Sequence, residues 1–232
     1  MTRDRGTPQG GVVSPILANL FLHYVFDLWM TKNLPNVPWC RYADDGLVHC
    51  KTEYEANYIL EKLRMRFEEC KLNMHPDKTK IIYCRDGARK GSHKQIKFDF
   101  LGYTFRPRLV ENKNRDGMFI SYTPAVSKAA VKAMRATTRK WNIRNRTDLE
   151  IINISRMYNP IIRGWFTYYG KFCPSQLYQF CRHFNKTLVS WAMRKYKNLR
   201  WKTRASKFIE EISKKNPQLF VHWERGMIGG FA

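Results

Sequence analysis

The sequence predicts an α+β fold, with strands and helices in residues 1–122 and helices alone in residues 123–232. The first observation is a pair of short β-prone runs around Asp44-Asp45-Gly46, which indicates an antiparallel hairpin with an Asp-Asp-Gly tip. The second is that apolar residues after residue 122 recur at helical spacing. The third is charge, because residues 1–122 carry a net charge of +6 and residues 123–232 one of +17. We therefore predict two domains that divide at residue 122.

Helical patterns lie on both sides of this hairpin. Ser14-Pro15 is typical of an N-cap followed by Pro at the first helical position, and the apolar residues 16–30 then predict a largely buried helix. Thr52 and Glu55 have capping-box spacing, and apolar residues at helical period follow them. This predicts an amphipathic helix that covers one face of the hairpin's sheet. Further strands are predicted at residues 78–84, 97–105 and 118–122.

The helical part begins, on this interpretation, at Thr123-Pro124, which caps its first helix. Thr147 and Glu150 again have capping-box spacing, and they open a helix that Pro160 interrupts. Further helical segments are predicted at residues 161–169, which are densely aromatic, and from residue 174 onward, with a basic stretch at residues 194–204.

The first of these helices carries a basic stripe, with residues at i, i+4, i+7 and i+11: Lys128, Lys132, Arg135 and Arg139. A solvated face is the usual explanation for such a stripe. No acidic residue lies between Thr123 and Arg146, so the helix has no internal ion pairs. This favours contact with phosphate groups.

Composition favours a partner that is a polyanion. The chain has 232 residues, a formal net charge of +23 and a pI near 10.0, and nucleic acid is the partner that such an excess indicates. Its six cysteines form no C-x-x-C pair, so we expect neither a zinc site nor a secreted disulfide framework. No signal peptide and no apolar run of membrane-spanning length is evident. We expect an intracellular, cytoplasmic protein without a membrane partner.

The adjacent carboxylates Asp44 and Asp45 are the strongest indication of chemistry. Two such groups at a tight turn repel each other unless a cation neutralises them. Polymerases use this arrangement to hold two divalent ions, which stabilise the attacking 3′ oxygen and the leaving pyrophosphate. A solvated acidic turn is the alternative, and for Asp-Asp-Gly alone it is the better explanation. The neighbouring motifs shift the balance toward a polymerase.

Five blocks, taken in order, resemble the group II intron-encoded reverse transcriptases, also called maturases. Residues 7–19 resemble the family's block ahead of the catalytic hairpin, and Arg41-Tyr42-Ala43-Asp44-Asp45 resembles the hairpin itself. The other three blocks resemble a palm segment with a Lys, the primer grip and the thumb or maturase domain, at residues 72–79, 98–103 and 159–169. The resemblance implies a partial right-hand polymerase palm with antiparallel strands, followed by an all-helical thumb/maturase domain.

The resemblance also implies roles for individual residues. Asp44 would bind both of two Mg²⁺ ions, and Asp45 would assist less directly. Lys78 would either protonate the departing pyrophosphate or bind its charge, and a plain surface Lys before a strand is an equal alternative. The remaining implied positions line the nucleotide and template pocket (Gln9, Gly10), lie under the primer end (Tyr42, Ala43) and turn the primer-grip hairpin (Leu101, Gly102).

The thumb region is expected to bind intron RNA. Its aromatic residues could stack on bases, but core packing is the better interpretation for most of them: Trp165, Phe166, Tyr168 and Tyr169. Basic residues are better candidates for contact with RNA phosphates: Arg163, Lys171, Arg194 and Lys195, together with the basic stripe. The implied partners are group II intron RNA, an RNA template with a DNA primer, and deoxynucleoside triphosphates.

The sequence departs from the family at one carboxylate. The family's site takes a further ligand from a strand ahead of the block at Gly6, and Asp4 is too close to Gly6 to lie on that strand. The family's fingers and first palm strand have no counterpart in these residues. We therefore expect poor polymerisation unless a separate upstream reverse transcriptase fragment is present. Two alternatives remain, a non-polymerising RNA-binding splicing factor and a remnant of a mobile element.

Overall fold

The computed structural model describes residues 11–85, 87, 91, 93–111 and 117–231. It divides the chain into two compact units, Met1–Tyr83 and Cys84–Ala232, which we call the first and the second unit. The predicted domain division at residue 122 stays a prediction. Helices and antiparallel strands occur together, and the chain from residue 127 onward is helical, so the α+β expectation is confirmed at this level.

The first unit contains a broken helix, a hairpin and a second helix. Its elements are α1 (Ser14–Leu22), a π-helical turn (His23–Asp27), α2 (Leu28–Asn33), β1 (Trp39–Tyr42), β2 (Asp45–Val48) and α3 (Glu53–Glu69). The predicted start of α3 is confirmed, because the Thr52 hydroxyl accepts a hydrogen bond from the Glu55 amide at 3.1 Å. Glu55 in turn accepts from the Lys51 amide at 2.6 Å, so both side chains satisfy amides at the start of the helix.

The helix predicted over residues 16–30 forms, but the prediction that it is largely buried is wrong for α1. No residue of α1 is buried, and a row of large apolar side chains is exposed: Ile16, Leu17, Leu20 and Phe21, followed by Tyr24 and Leu28. Burial begins only at Val25 and Phe26. The apolar pattern specifies a face that needs a cover, and no described element covers this one.

The core of the first unit is small. Phe26, Met30, Ile59 and Leu63 form its buried cluster, so α3 packs on the π-helical turn and α2. Trp39 of β1 packs edge-to-face on Phe26, with ring centroids 5.3 Å apart. Trp39 and Val48 of the hairpin thus pack against this cluster.

Two of the three later strand predictions need correction. Residues 78–84 form no strand. β-Prone residues form a strand only where a neighbouring strand pairs with them. The run at 97–105 is split into β3 (Phe98–Phe100) and β4 (Tyr103–Glu111), because Leu101 and Gly102 both have left-handed φ values, of 49° and 77°. The third strand is confirmed and is longer than predicted, as β5 (Met118–Val126). The sheet is antiparallel in the order β3-β4-β5.

The predicted helix start at Thr123-Pro124 is wrong. Both residues belong to β5, where Pro124 pairs with Phe105 on an edge strand that tolerates a missing N–H donor. The helix α4 (Lys128–Lys140) is capped instead by Ser127, whose hydroxyl accepts from the Ala130 amide at 3.1 Å. Ser127 therefore supplies the cap that the Thr-Pro pattern suggested four residues earlier.

The remaining helices are α5 (Ile151–Tyr169), α6 (Tyr178–Lys195), α7 (Lys202–Lys215) and α8 (Val221–Glu224). The predicted interruption at Pro160 is wrong, because α5 continues through it. The predicted capping box at Thr147 and Glu150 does not form either. Glu150 is the N-cap without a side-chain bond to the helix, since its carboxylate pairs with Lys195 at 2.7 Å.

The second unit has an extensive aromatic core. Trp191, Phe180, Phe184 and Phe220 are fully buried, and they belong to one cluster that joins α4, α5, α6, α7 and the segment around α8. A buried polar group is satisfied inside it: Asn185 accepts from Trp223 at 3.0 Å and is 2.7 Å from a His222 ring nitrogen. This core positions the basic surfaces described below.

Candidate functional site

The hairpin that carries Asp44 and Asp45 has a two-residue loop. Tyr42 pairs with Asp45 as the last pair of the ladder, so the loop consists of Ala43 and Asp44. The expected Asp-Asp-Gly tip is therefore wrong in detail, since Asp45 and Gly46 already belong to β2. Ala43 has φ 53°, in the left-handed region that is costly for a residue with a Cβ. Such strain persists only where surrounding contacts hold it.

Arg41 supplies those contacts. Its Nε donates to one carboxylate oxygen of Asp27 at 2.7 Å and its Nη2 donates to the other at 2.6 Å. Its Nη1 donates to the Ala43 carbonyl at 2.7 Å and to the Asn19 side chain at 3.0 Å. The guanidinium thus ties the strained loop to the helical segment behind it.

The ion pair between Arg41 and Asp27 is well shielded. Their side chains are 12% and 17% exposed, which strengthens a bidentate contact of this kind. The hydrogen bond from Arg41 lowers the pKa of Asp27, and the same bond raises that of Arg41. His23 also contacts Asp27, with 3.2 Å between its Nδ1 and Oδ2. Sequence reasoning did not identify Asp27, because the pair spans fourteen residues and follows no local pattern.

Asp44 and Asp45 are exposed at the tip and at the start of β2. Carboxylate oxygens are the ligands that Mg²⁺ prefers in proteins, so this donor set suits the ion. Among the residues that the structure describes, no group of three or more His, Cys, Asp and Glu side chains is placed to hold a metal. The pair therefore fits part of a magnesium ligand set. Asp4 lies outside the described residues.

The other predicted residues of the first unit are placed as follows. Tyr42 is 63% exposed beside the tip. Lys78 is exposed in a turn that begins at His75, where the Lys78 amide donates to the His75 carbonyl at 3.3 Å. Gln9 and Gly10 lie outside the described residues. The structure thus brings two of the three predicted catalytic residues, Asp44 and Asp45, together on one hairpin with Tyr42 and Ala43, which are predicted to lie at the primer end.

Leu101 and Gly102 form the loop between β3 and β4, as the resemblance implies. The Tyr168 hydroxyl donates to the Leu101 carbonyl at 3.0 Å, and the Gly102 carbonyl accepts from the Ser127 amide at 2.9 Å. A Cβ on Gly102 would lie 2.9 Å from the Tyr169 hydroxyl oxygen, so this close approach also requires glycine. The end of α5 thus fixes the shape of this loop.

The aromatic residues of α5 pack mainly inside the second unit, as expected for most of them. Phe166 is 2% exposed, and Trp165 stacks on Trp141 with ring centroids 5.6 Å apart. Tyr168 and Tyr169 both contact the ring of Tyr103. Tyr168 remains 48% exposed, so it alone of the four keeps a large accessible surface.

The basic stripe runs along α4 beside its buried face of Val131, Met134 and Thr138. Lys128, Lys132 and Arg139 are exposed. Arg135 is half-buried, and its Nη2 donates to the Gln179 carbonyl of the neighbouring segment at 2.9 Å. Burial lowers the pKa of His183, and the positive charges of Arg135 and Arg139 add to this effect. The stripe therefore concentrates positive charge on one surface.

The other predicted RNA-binding residues differ in accessibility. Arg163, Lys171 and Arg194 are exposed. The Arg194 guanidinium contacts the Asn145 side chain. Lys195 is 13% exposed, and its ammonium group contacts Glu150 at 2.7 Å and two backbone carbonyls at 3.1 Å. Its three donors are thus already used within the protein.

Comparison with known families agrees with these observations. Residues 1–105 match the family of reverse transcriptases, described as RNA-dependent DNA polymerases. Residues 131–209 match the maturase-specific domain of group II introns. The chain belongs to the group II intron reverse transcriptase and maturase family. The exposed Asp44-Asp45 hairpin lies within the residues that match the reverse transcriptases, and α4 to α7 lie largely within those that match the maturase-specific domain.

One curated relative is Protein YkfC of Escherichia coli (strain K12), which is 31% identical to this group II intron reverse transcriptase/maturase chain. The match covers 61% of the chain and 42% of the relative, so the chain spans less than half of that protein's length. In the part of the chain that the structure describes, no helix has the length and apolar character needed to cross a membrane.

Proposed function

We propose that this chain supplies the catalytic hairpin and the RNA-binding maturase domain of an RNA-directed DNA polymerase encoded by a group II intron. The observation that carries the proposal is the hairpin in which Arg41 holds the Ala43 carbonyl and leaves Asp44 exposed at the tip. The reverse transcriptase match over residues 1–105 supports the same reaction. The substrates are an RNA template, a DNA primer and deoxynucleoside triphosphates.

In this proposal Asp44 and Asp45 hold Mg²⁺. The ions supply charge that stabilises the attacking and leaving oxygens of nucleotidyl transfer. Tyr42 and Ala43 lie under the primer end, and the small Ala43 side chain leaves room for the primer backbone. Lys78 binds or protonates the pyrophosphate, for which its exposed turn gives access. Gln9 and Gly10 line the incoming nucleotide, and the loop at Leu101 and Gly102 grips the primer.

Intron RNA is bound by the basic surfaces of the second unit. The central part of these surfaces consists of the exposed α4 residues Lys128, Lys132 and Arg139, since α4 contains no acidic residue. Arg135, Arg163, Lys171 and Arg194 complete the proposed set, and Lys195, whose donors are used within the protein, stabilises this surface without contacting RNA. Phosphate contacts of this kind release counterions, so RNA affinity falls steeply as salt concentration rises.

A separately supplied reverse transcriptase fragment is the proposed partner of the first unit. The exposed apolar side chains of α1, such as Leu17, Leu20 and Phe21, form a surface of the kind that marks a protein interface. A polypeptide that covers this surface and brings another carboxylate beside Asp44 would complete the ligand set. A second candidate function is RNA binding without polymerisation, which the net charge of +17 in residues 123–232 favours.

Primer extension tests the proposal. The chain is given an RNA template, a DNA primer and Mg²⁺, first alone and then with a fingers-and-first-palm fragment from a related enzyme. Extension that requires the fragment supports a polymerase that works with a partner. Extension by the chain alone still supports a polymerase but contradicts the need for the partner. Extension in neither reaction, with intact RNA binding, favours the second candidate.

Asp44→Asn separates the two functions. Wherever the wild-type chain extends a primer, this variant should lose at least about a hundredfold in rate, because the lost metal contact is worth several kcal/mol. RNA affinity should not change, since Asp44 is not in the proposed RNA-binding surface. Glu61→Gln, which removes an exposed carboxylate of α3, is the matched control and should leave both properties intact. Unchanged extension by Asp44→Asn contradicts the proposed catalytic role.

A further inference from the structure

A basic cavity in the second unit belongs to none of the sites described so far. It has a volume of about 550 Å³ and lies between α6, α7 and the segment that follows α8. Arg182, Lys202 and Lys207 line it, together with the backbone of Gly229 and Gly230. A volume in this range can accommodate a small organic ligand or one nucleotide unit of a larger one.

The charge of this cavity is predominantly positive. In the part of the chain that the structure describes, Arg182, Lys202 and Lys207 have no acidic partner within ion-pair distance. The one acidic residue that lines the cavity, Glu210, is paired with Lys214 at 2.8 Å. Three cations that have no acidic partner among the described residues, beside an acid that is paired with Lys214, form a site for an anion such as a phosphate group.

Residues 229–231 form one wall of the cavity, and defined contacts hold them in place. Gly230 has φ 68°, and a Cβ there would lie 2.6 Å from the Arg182 Cγ and 2.8 Å from its Nε, so this arginine lies directly over the glycine. The Gly229 carbonyl accepts from the Asn185 side chain at 2.9 Å, and the Phe231 carbonyl accepts from the Ser206 hydroxyl at 2.9 Å. The segment is therefore fixed on both sides of Gly230.

The exposed side chain of Trp201 is an independent indication of nucleic-acid binding. Trp201 directly precedes Lys202, and its side chain is 71% exposed. All seven tryptophans of the chain lie in the described residues, and the other six are buried or half-buried. An exposed indole is a surface on which an unpaired base can stack, whatever the identity of the base.

We infer that Trp201 and the cavity of Arg182, Lys202 and Lys207 form a subsite for single-stranded nucleic acid. An unpaired base stacks on the Trp201 indole, and a phosphate of the same strand occupies the cavity. Trp201 is the N-cap of α7 and the cavity-lining Lys202 is its first residue, so a base on the indole and a phosphate in the cavity can belong to one strand. This inference rests on the proposed RNA binding and adds a preference for unpaired strands at a defined place.

The test compares Trp201→Ala with the wild-type chain on two labelled RNAs, followed by fluorescence anisotropy. One is a single strand of about twelve nucleotides with no internal pairing, and the other is a duplex of the same length. Trp201→Ala should weaken binding of the single strand about tenfold and change binding of the duplex less than twofold. Trp201→Phe should recover part of the loss, because phenylalanine retains an aromatic face.

The charge of the cavity is tested by Lys202→Ala combined with Lys207→Ala. The slope of log affinity against log salt should fall by about 1.4 for the single strand, or about 0.7 for each lost phosphate contact. Lys215→Ala is the control, since it removes a charge about 12 Å further along the same helix from Lys207. Tyr54→Ala is the control for loss of an exposed aromatic residue elsewhere.

The outcomes separate this inference from the proposed function. If the wild-type chain binds neither RNA, both fail. If it binds both RNAs and Trp201→Ala binds the single strand as tightly as the wild type, the subsite is overturned and the RNA-binding function stands. Equal weakening on both RNAs also overturns the inference, because it removes the preference for unpaired bases. Circular dichroism confirms that each variant retains its fold.

Discussion

The two units differ in how much of their stability they can supply from their own residues. In the described part of the first unit the buried cluster consists of four side chains, whereas that of the second unit includes twenty-two. No residue of α1 is buried, whereas α4, α5, α6 and α7 each bury at least three residues, although α5 leaves Ile152, Met157 and Ile161 exposed. The unit with the candidate chemistry is thus the less self-sufficient one, and the unit with the basic surfaces is a well-packed scaffold.

The largest effect on stability should come from the core of the second unit. Leu188 is fully buried on α6, so Leu188→Ala leaves a cavity and should lower the free energy of unfolding by about 2–5 kcal/mol. Urea unfolding followed by tryptophan fluorescence measures it. A loss below about 1 kcal/mol would mean that this core is loosely packed, and the contrast between the units would disappear.

The next effect concerns Arg41 in the first unit. Arg41→Lys keeps the charge but cannot hold Asp27 with two donors and the Ala43 carbonyl with a third. Primer extension, under conditions where the wild type is active, should fall roughly ten- to a hundredfold as the loop shifts. Arg64→Lys is the control, because within the described part of the chain Arg64 makes only an exposed pair with Glu61. Equal activities of the two variants would refute a positioning role for Arg41.

The free energy of unfolding should depend on pH through the buried His222 of the second unit. Burial lowers the pKa of His222 to about 3, against 6.5 when it is exposed, so the folded state favours neutral imidazole. This contribution is fully present above pH 6.5 and is lost as the pH falls from 6.5 toward 3. Between pH 7.5 and 5 the free energy of unfolding should drop by about 2 kcal/mol from this group.

The control for that effect is His222→Gln, which cannot take up a proton and should show a smaller drop over the same range. Urea unfolding at the two pH values measures both proteins. If the variant and the wild type lose the same stability, His222 is not the group responsible.

The smallest effect is expected on α1. Leu20 is 53% exposed, so Leu20→Ala should change the free energy of unfolding of the chain by no more than about 0.5 kcal/mol. A much larger loss would show that this face is covered in solution. With the proposed fragment present, the same substitution should weaken the complex, which a pull-down with tagged fragment can measure.

Local pattern predicted some features correctly, although it failed for the capping box at Thr147 and Glu150. The hairpin followed from β-prone runs around Asp44-Asp45-Gly46, and α3 from the spacing of Thr52 and Glu55. Features that depend on distant partners were missed. The pairing of Arg41 with Asp27 joins two elements, and the continuation of β5 through Pro124 depends on its ladder with β4. Periodicity indicated the apolar face of α1, but it contains no information about what covers that face.

The π-helical turn at His23–Asp27 also maintains the rotational phase of the helix around it. A π-helical turn accommodates one residue more than an α-helical turn, and such turns occur frequently at functional sites. Because the wider turn absorbs this extra residue locally, the helix on either side keeps nearly the phase that it would have without that residue. Asn19 lies before the turn and Asp27 at its end, yet both contact the same guanidinium. The turn thus accommodates an extra residue while it keeps Asn19 and Asp27 on the side of the helix that faces Arg41.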